Sequence, residues 1–350
     1  MLEKTYARAS RKKYLLLLVT LLLTLFCAYC FSTIGMRNVS FTQPLQAIAN
    51  WSNGSLNAGS DAAVNKIILL LRMPRILLAL FAGVGLAIAG AVMQSVTRNY
   101  LVSPFTLGIS SAAAFGASIC IVFGSGAFFT SDIGIISCAF AASCGCGLVV
   151  YGISRQIGVK PSSIVLVGIA LNYFFSALTA TIEFFAKEHK LEAVVQWTFG
   201  SFNRATWDNV LLAGSVTVIC FTVLMLYCLQ LNAIASSDDE TVKSLGVNPE
   251  RLRTVIGLIA VFLTATIISF TGVIGFVGLI APHMARFIIG SNHRFYLPFA
   301  ALLGALLLLI ADTAGKLILY PVNIPVGIVI SFLGVPLFIH LILLKKHSLD

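Results

Sequence analysis

Ten apolar runs, most of them about twenty residues long, succeed one another along this chain with short polar breaks between them. They cover 14–34, 74–97, 106–129, 133–154, 162–185, 210–232, 254–270, 273–289, 297–320 and 325–344. A helix needs roughly 20 apolar residues to cross a hydrocarbon core of about 30 Å, so runs of this length predict an all-α polytopic membrane protein. Strands of a transmembrane barrel would show short alternating segments instead. Composition sets the same bound: 58% of the 350 residues are apolar and 10% charged, against roughly 25% charged in a soluble domain. That content leaves no room for a soluble enzyme on a single anchor, and residues 1–350 read as one transmembrane domain.

The weakest division lies in 254–289, an almost unbroken run too long for one span and short for two, so a break is expected at Thr271-Gly272. Charge placement tests the count. With ten spans and the N-terminus inside, 15 of the 23 Lys and Arg fall in cytoplasmic segments and 8 outside, as the positive-inside rule requires. Fusing the seventh and eighth spans would put Arg286 and Arg294 outside. The basic cluster Lys4, Arg8, Arg11, Lys12 and Lys13 precedes an apolar run too long for a secretory signal, so the first span is retained and both termini are expected in the cytoplasm. The net charge of +10 thus reflects insertion topology, with no nucleic-acid partner expected.

Eight cysteines lie inside apolar segments without the paired spacing of a zinc site or a disulfide framework, and they read as packing thiols. Glycines 83, 85 and 90 in one run, and 272, 275 and 278 at the expected break, allow close helix approach or mark a moving, pore-lining element. The chain has no phosphate-binding loop: its one Gly-Lys pair, Gly315-Lys316, has Ile310 where the first glycine would stand. An ion-coupled carrier usually places carboxylates at mid-membrane, whereas Glu183 and Asp312 sit near the outer ends of their runs and Asp132 suits a helix start. A membrane-embedded enzyme would need a clustered catalytic set that these scattered residues do not form.

The longest internal polar stretch expected in the cytoplasm is Ser236 to Arg253, SSDDETVKSLGVNPERLR. Ser237 or Asp238 can cap a short helix with Asp239 and Glu240 in its first turn, Gly246 can end it, and Pro249 can start a second with Glu250, Arg251 and Arg253 exposed. Two short amphipathic helices lying along the membrane would make a docking surface, and an ordinary solvated loop would look the same in composition.

Several segments together resemble the FecCD-type permeases, the membrane subunits of ABC importers for ferric siderophores, haem and cobalamin. They are RMPRILLALFAGVGLAIAG and its continuation to Ala117, WTFGSFNRATW (197–207), SLGVNPERLR (244–253), GFVGLIAPHMARFIIG (from 275) and IPVGIVISFLGVPLFIHLIL (324–343). The resemblance implies a BtuC-like fold of ten transmembrane helices in two halves of inverted orientation. It implies a bacterial cytoplasmic-membrane location and pairing with a second permease subunit, identical or paralogous. Two cytoplasmic ABC ATPase subunits, which hold ATP and Mg, and an extracytoplasmic substrate-binding protein are the further partners, beside membrane lipid; this chain itself would bind no cofactor or metal.

By the same resemblance, Ser237, Asp238, Asp239, Glu240, Lys243, Leu245, Gly246, Val247 and Arg251 form the ATPase-coupling segment. Arg72, Arg75 and Lys316 would meet acidic side chains of the binding protein, with helix-end snorkelling as the alternative for these cations. The pathway would be lined mainly by the fifth and tenth helices. On the fifth, Asn172, Ser176, Thr179 and Glu183 form one stripe at helical spacing, in which Glu183 either faces the pathway or pairs with Lys187. His283 and His293 belong to structural motifs near the cytoplasmic end, without iron ligation expected. Asn292 and Tyr100 depart from the aspartate and proline that many relatives carry there. An iron(III)-siderophore complex is the expected cargo, with haem or cobalamin as alternatives.

Overall fold

The structure, a computed structural model, describes residues 2–35, 39–52, 62–129, 131–319 and 321–346; side chains are described for residue 10 onward, except 337 and 340 onward. Lys4, Arg8, Arg37, Lys345 and Lys346 of the charge count therefore lie outside the described side chains. Every described regular element is helical: α1 (Leu2–Thr33), α2 (Gln43–Ser52), α3 (Ala62–Lys66), a π-helical segment (Ile67–Arg72), α4 (Met73–Thr97), α5 (Ile109–Phe123), α6 (Asp132–Gln156) and α7 (Pro161–Phe185). There follow α8 (Glu188–Thr198), α9 (Trp207–Leu226), α10 (Cys228–Ser236), α11 (Asp239–Ser244), α12 (Pro249–Thr271), α13 (Val277–Ile289), α14 (His293–Leu317) and α15 (Val326–Lys346).

Each of the ten apolar runs has a helix, but the helices differ in reach. Among the described residues seven are long and apolar enough to cross a membrane. Helices α5 and α13 have 15 and 13 residues, or about 20 Å of rise, which is short of a 30 Å core. The third run begins as an irregular turn before Ile109, where Ser103 N–H donates to Thr106 Oγ1 (2.9 Å). The sixth run bends at Tyr227 into α10. Helices α2, α3 and α8, lying between runs, had no apolar period long enough to announce them.

Three helices form the inside of the bundle. The most apolar windows of α4, α14 and α12 are 78%, 72% and 67% buried, whereas those of α1 and α7 are 11% and 17% buried. Small residues explain the central place of α4. A Cβ at Gly83 would press on the backbone of Gly304 and Ala305 in α14, and one at Gly90 on the backbone of Gly278 in α13, so the helices touch through glycine.

The expected break is present. Gly272 closes α12 with φ +71°, and a Cβ there would meet the Trp197 carbonyl. Chain 272–276 is irregular, Ser201 N–H donates to Thr271 O (2.8 Å), and α13 begins after Phe276, whose φ is +61°. Non-helical backbone at this depth is tolerated because it packs against protein and lines a cavity.

Candidate functional site

The bundle's ends are called outer and cytoplasmic after the charge placement above. A groove of about 790 Å³ opens where the broken segment meets α15. Phe199, Phe276 and Phe332 give it apolar walls, and Ser103, Thr106, Thr198 and Ser331 add hydroxyls. None of its described lining residues is charged. On α15 the lining falls at Gly327, Ile328, Ser331, Phe332 and Val335, one helical face that its spacing could have revealed. The four-residue stripe on α7 is not part of this groove.

Instead the stripe divides. Ser111 of α5 donates to Asn172 Oδ1 (2.5 Å), and Ser176 donates to Ser111 (3.4 Å), joining α7 to α5. Thr179 bonds back to the Phe175 carbonyl (2.9 Å). Glu183 makes no ion pair among the described residues. Of the two alternatives for Glu183, the pairing with Lys187 is not made, because α7 ends at Phe185 and Ala186 is extended, so positions 183 and 187 do not share one helix.

At the outer end the three cations are engaged within the protein. Arg75 donates Nε (3.0 Å) and Nη2 (2.7 Å) to Asp312 and Nη1 to Asn203 (2.5 Å). Lys316 Nζ lies 2.6 Å from the other Asp312 oxygen. Asp312 is 5% exposed and each cation 17%, so one buried carboxylate joins α4 to α14. Arg72 donates to the Ser32 and Thr33 carbonyls (2.8 and 2.9 Å), at the C-terminus of α1 where a cation is favoured. Asp132 opens α6, but the capping acceptor is Ser131, which takes the Gly134 N–H (3.2 Å).

At the cytoplasmic end Gly246 ends α11 as expected, whereas Asp238 at its N-cap makes no side-chain cap hydrogen bond to the backbone and accepts from Thr241 Oγ1 instead. Gly246 (φ +79°) follows α11, with Val247 N–H donating to Val242 O (3.3 Å), and Asn248 caps Pro249-led α12 by accepting from Arg251 N–H (3.1 Å). Two expectations are corrected. Pro249 starts no second short helix: it begins the long α12 itself, because the apolar run continues without a break from the first turn. Arg253 is fully buried rather than exposed, and its partner is Asp239, whose side chain keeps 34% exposure. Arg253 donates Nη1 (2.8 Å) and Nη2 (2.6 Å) to the Asp239 carboxylate, and Arg98 Nη2 donates to the same group (2.7 Å). The Arg253 hydrogen bonds hold the Asp239 acid down at about 2 against the opposing effect of burial. Asp238, Glu240, Lys243, Leu245, Gly246 and Arg251 are exposed, while Ser237 and Val247 are half-buried. The inward turn of Asp239 had no local signal, since its partners lie 14 and 141 positions away.

His293 and His283 both pack against neighbouring side chains. His293 is buried, with Nε2 2.7 Å from Ser95 Oγ and Nδ1 2.7 Å from Asn232 Oδ1, clamping α14 to α4 and α10. His283 packs edge-on against Phe338. Among the described residues no group of three or more His, Cys, Asp or Glu is placed to hold a metal. Asn292 caps α14 by accepting from Arg294 N–H (3.1 Å), the service an aspartate gives. Tyr100 lies under Arg286, 4.1 Å from ring centroid to guanidinium, which gives this departure a packing role.

Residues 14–345 match the FecCD transport family. The chain is 38% identical to an ABC transporter permease protein of Methanocaldococcus jannaschii, with 98% of each chain covered. It is 32% identical to the Fe(3+)-citrate import system permease protein YfmD of Bacillus subtilis, over 95% of this chain and 96% of that one. Among solved structures it is similar to a metal-chelate type ABC transporter in an inward-facing conformation, with TM-score 0.81 and 30% identity over 93% of this chain and 98% of that chain.

Proposed function

Since this chain belongs to the FecCD transport family, a family of multi-pass membrane permeases of ABC importers, we propose that it carries an iron(III)-siderophore or related ferric chelate into the cytoplasm. The observation that carries the cargo reading is the uncharged groove. Among the described residues its walls offer aromatic surface and hydroxyls but no carboxylate, thiolate or imidazole, the ligands a bare iron ion would require. Such walls suit a cargo whose metal is already enclosed by its own chelator. Haem and cobalamin are enclosed metals of the same kind, and the cargo assay separates them.

Two copies of the chain, or this chain and a paralogue, enclose the pathway between them. A binding protein delivers cargo at the outer end, near Arg72, Arg75 and Lys316. Two cytoplasmic ATPase subunits hold ATP and Mg and seat against the exposed residues of 237–251. ATP closes the ATPase pair, the coupling segment moves with it, and the groove changes from outward to inward access. Asn172, Ser176, Thr179 and Glu183 belong to the α7 wall of this route, with both termini in the cytoplasm.

Reconstitution into liposomes tests the proposal. Uptake of ferric citrate, ferric hydroxamate, haem and cobalamin is measured with the permease alone, with its ATPase, and with ATPase plus binding protein. Uptake of a ferric chelate only in the complete system is expected. Uptake by the permease alone would overturn the importer reading in favour of an ion-coupled carrier, and uptake of haem or cobalamin alone would overturn the cargo.

A further inference from the structure

Helix α11 has six residues, too few to be stable by itself, and only its Val242 side chain is buried. What fixes it to the bundle is the Asp239 carboxylate at its first position. That group receives Arg253 from the first turns of α12 and Arg98 from the C-terminus of α4. Both arginines are themselves held. Arg253 Nε donates to Val96 O of α4 (3.1 Å) and Nη1 to Val159 O between α6 and α7 (3.3 Å). Arg98 Nε donates to Ile234 O of α10 (2.7 Å), from a backbone with φ +49° that is uncommon for a residue with a side chain.

We propose that Asp239 is a positioning residue that transmits displacement of α11 to α4 and α12 as one rigid unit. The inference rests on the coupling reading above and deepens it by separating the residue that carries the movement inward from those that face the ATPase. Both receiving helices lead to the groove. Helix α12 runs to the break at Gly272, and α4 touches α13 through the Gly90–Gly278 contact. A charge-assisted fork of three donors on one carboxylate resists shear better than the apolar contact of Val242, which can slide. Because that carboxylate stays ionised down to about pH 2, the tie persists throughout the physiological range and is no pH switch.

The test uses the full permease–ATPase complex in liposomes and needs no cargo. Phe332, exposed on the groove wall, is replaced (Phe332→Cys), and its labelling by a water-soluble maleimide is read by peptide mass with and without ATP. An ATP-dependent change in labelling rate of about fivefold is expected in Phe332→Cys, falling below about twofold when Asp239→Asn is added while the ATPase still co-purifies. A purely structural role would lower yield without abolishing that ratio. A full ATP response in the Asp239→Asn complex overturns the inference, and so does loss of the ATPase, which would make Asp239 a contact residue. If Asp239→Asn does not fold, Arg98→Gln, which leaves the Arg253 fork intact, carries the test: a reduced response supports the inference and an unchanged one overturns it. Leu245→Arg, on the exposed side of the segment, isolates the underlying reading. If it leaves the ATPase bound, the coupling assignment fails; if it releases the ATPase while Asp239→Asn responds fully, only the present inference fails.

Discussion

Replacing Gly90 with alanine tests whether α4 and α13 really touch backbone to backbone. The added Cβ would lie 2.6 Å from the Gly278 carbonyl carbon and 2.7 Å from its Cα, with the carbonyl oxygen nearer still. Ordinary contact begins at 3.4 Å, and the atoms in the way are backbone, so no side chain can swing aside. The helices must separate, and an overpacked core of this kind loses about 1–3 kcal/mol; rigid neighbours place Gly90→Ala toward the upper end. Gly145→Ala in α6 is the control, because nothing lies within 4 Å of its added Cβ. There the helix should gain about 0.5–1 kcal/mol from lower backbone freedom in the unfolded chain. Thermal unfolding in detergent, followed by tryptophan fluorescence, compares the two. Uptake should also fall in Gly90→Ala, since α13 carries Leu279 of the groove and Phe276 immediately precedes it. A Gly90→Ala protein as stable as Gly145→Ala, with helix content unchanged, would refute the glycine contact and the helix arrangement built on it.

Asp312→Asn should cost about 2–3 kcal/mol of stability, somewhat less than a fully buried ion pair because Arg75 and Lys316 keep some solvent; adding Lys316→Met should return part of it in the same melting assay. Arg72→Gln with Arg75→Gln should weaken capture by the binding protein in a pull-down while the ATPase still co-purifies, whereas unchanged capture would leave these arginines a structural role alone. Glu183→Gln should alter uptake or its preference among chelates of different charge, because no partner cation neutralises it among the described residues; unchanged selectivity would remove Glu183 from the pathway. Asp239 has its acid lowered in the folded protein, so its contribution is complete above the unfolded value of about 4 and is lost as pH falls toward about 2. The stability gap between wild type and Asp239→Asn should therefore close over that interval, and a gap independent of pH would contradict the ionised tie.

Local chemistry was legible wherever one stretch of chain decided the outcome. Pro249 at a helix start and Gly246 with positive φ place the helix ends around the coupling segment, because turns are settled by a few consecutive residues. The break near Gly272 followed from length, since an apolar run of that size fits a bilayer neither as one helix nor as two. The ten apolar runs likewise announced an all-helical membrane protein, because a chain in hydrocarbon must satisfy its backbone within each helix.

Which way a charged side chain turns was not legible, because that depends on a partner brought near only by packing. Arg75 and Asp312 are 237 positions apart, and only the apposition of α4 with α14 converts two outer-end charges into a buried pair. Asp239 and Arg253 belong to adjacent helices, yet the pattern that made Arg253 look exposed is overridden by Val96 and Val159, whose carbonyls join the Asp239 carboxylate around the guanidinium. The α7 stripe had correct spacing and still divided, since a helix face is defined by its neighbours and Ser111 reaches only part of it. Sequence thus determined the apolar helices, the break near Gly272 and the chain's need for a membrane. The tertiary structure alone decided which of its few charges hold the bundle together and which remain available to partners, because desolvating a charge is tolerated only where its partners are already in place.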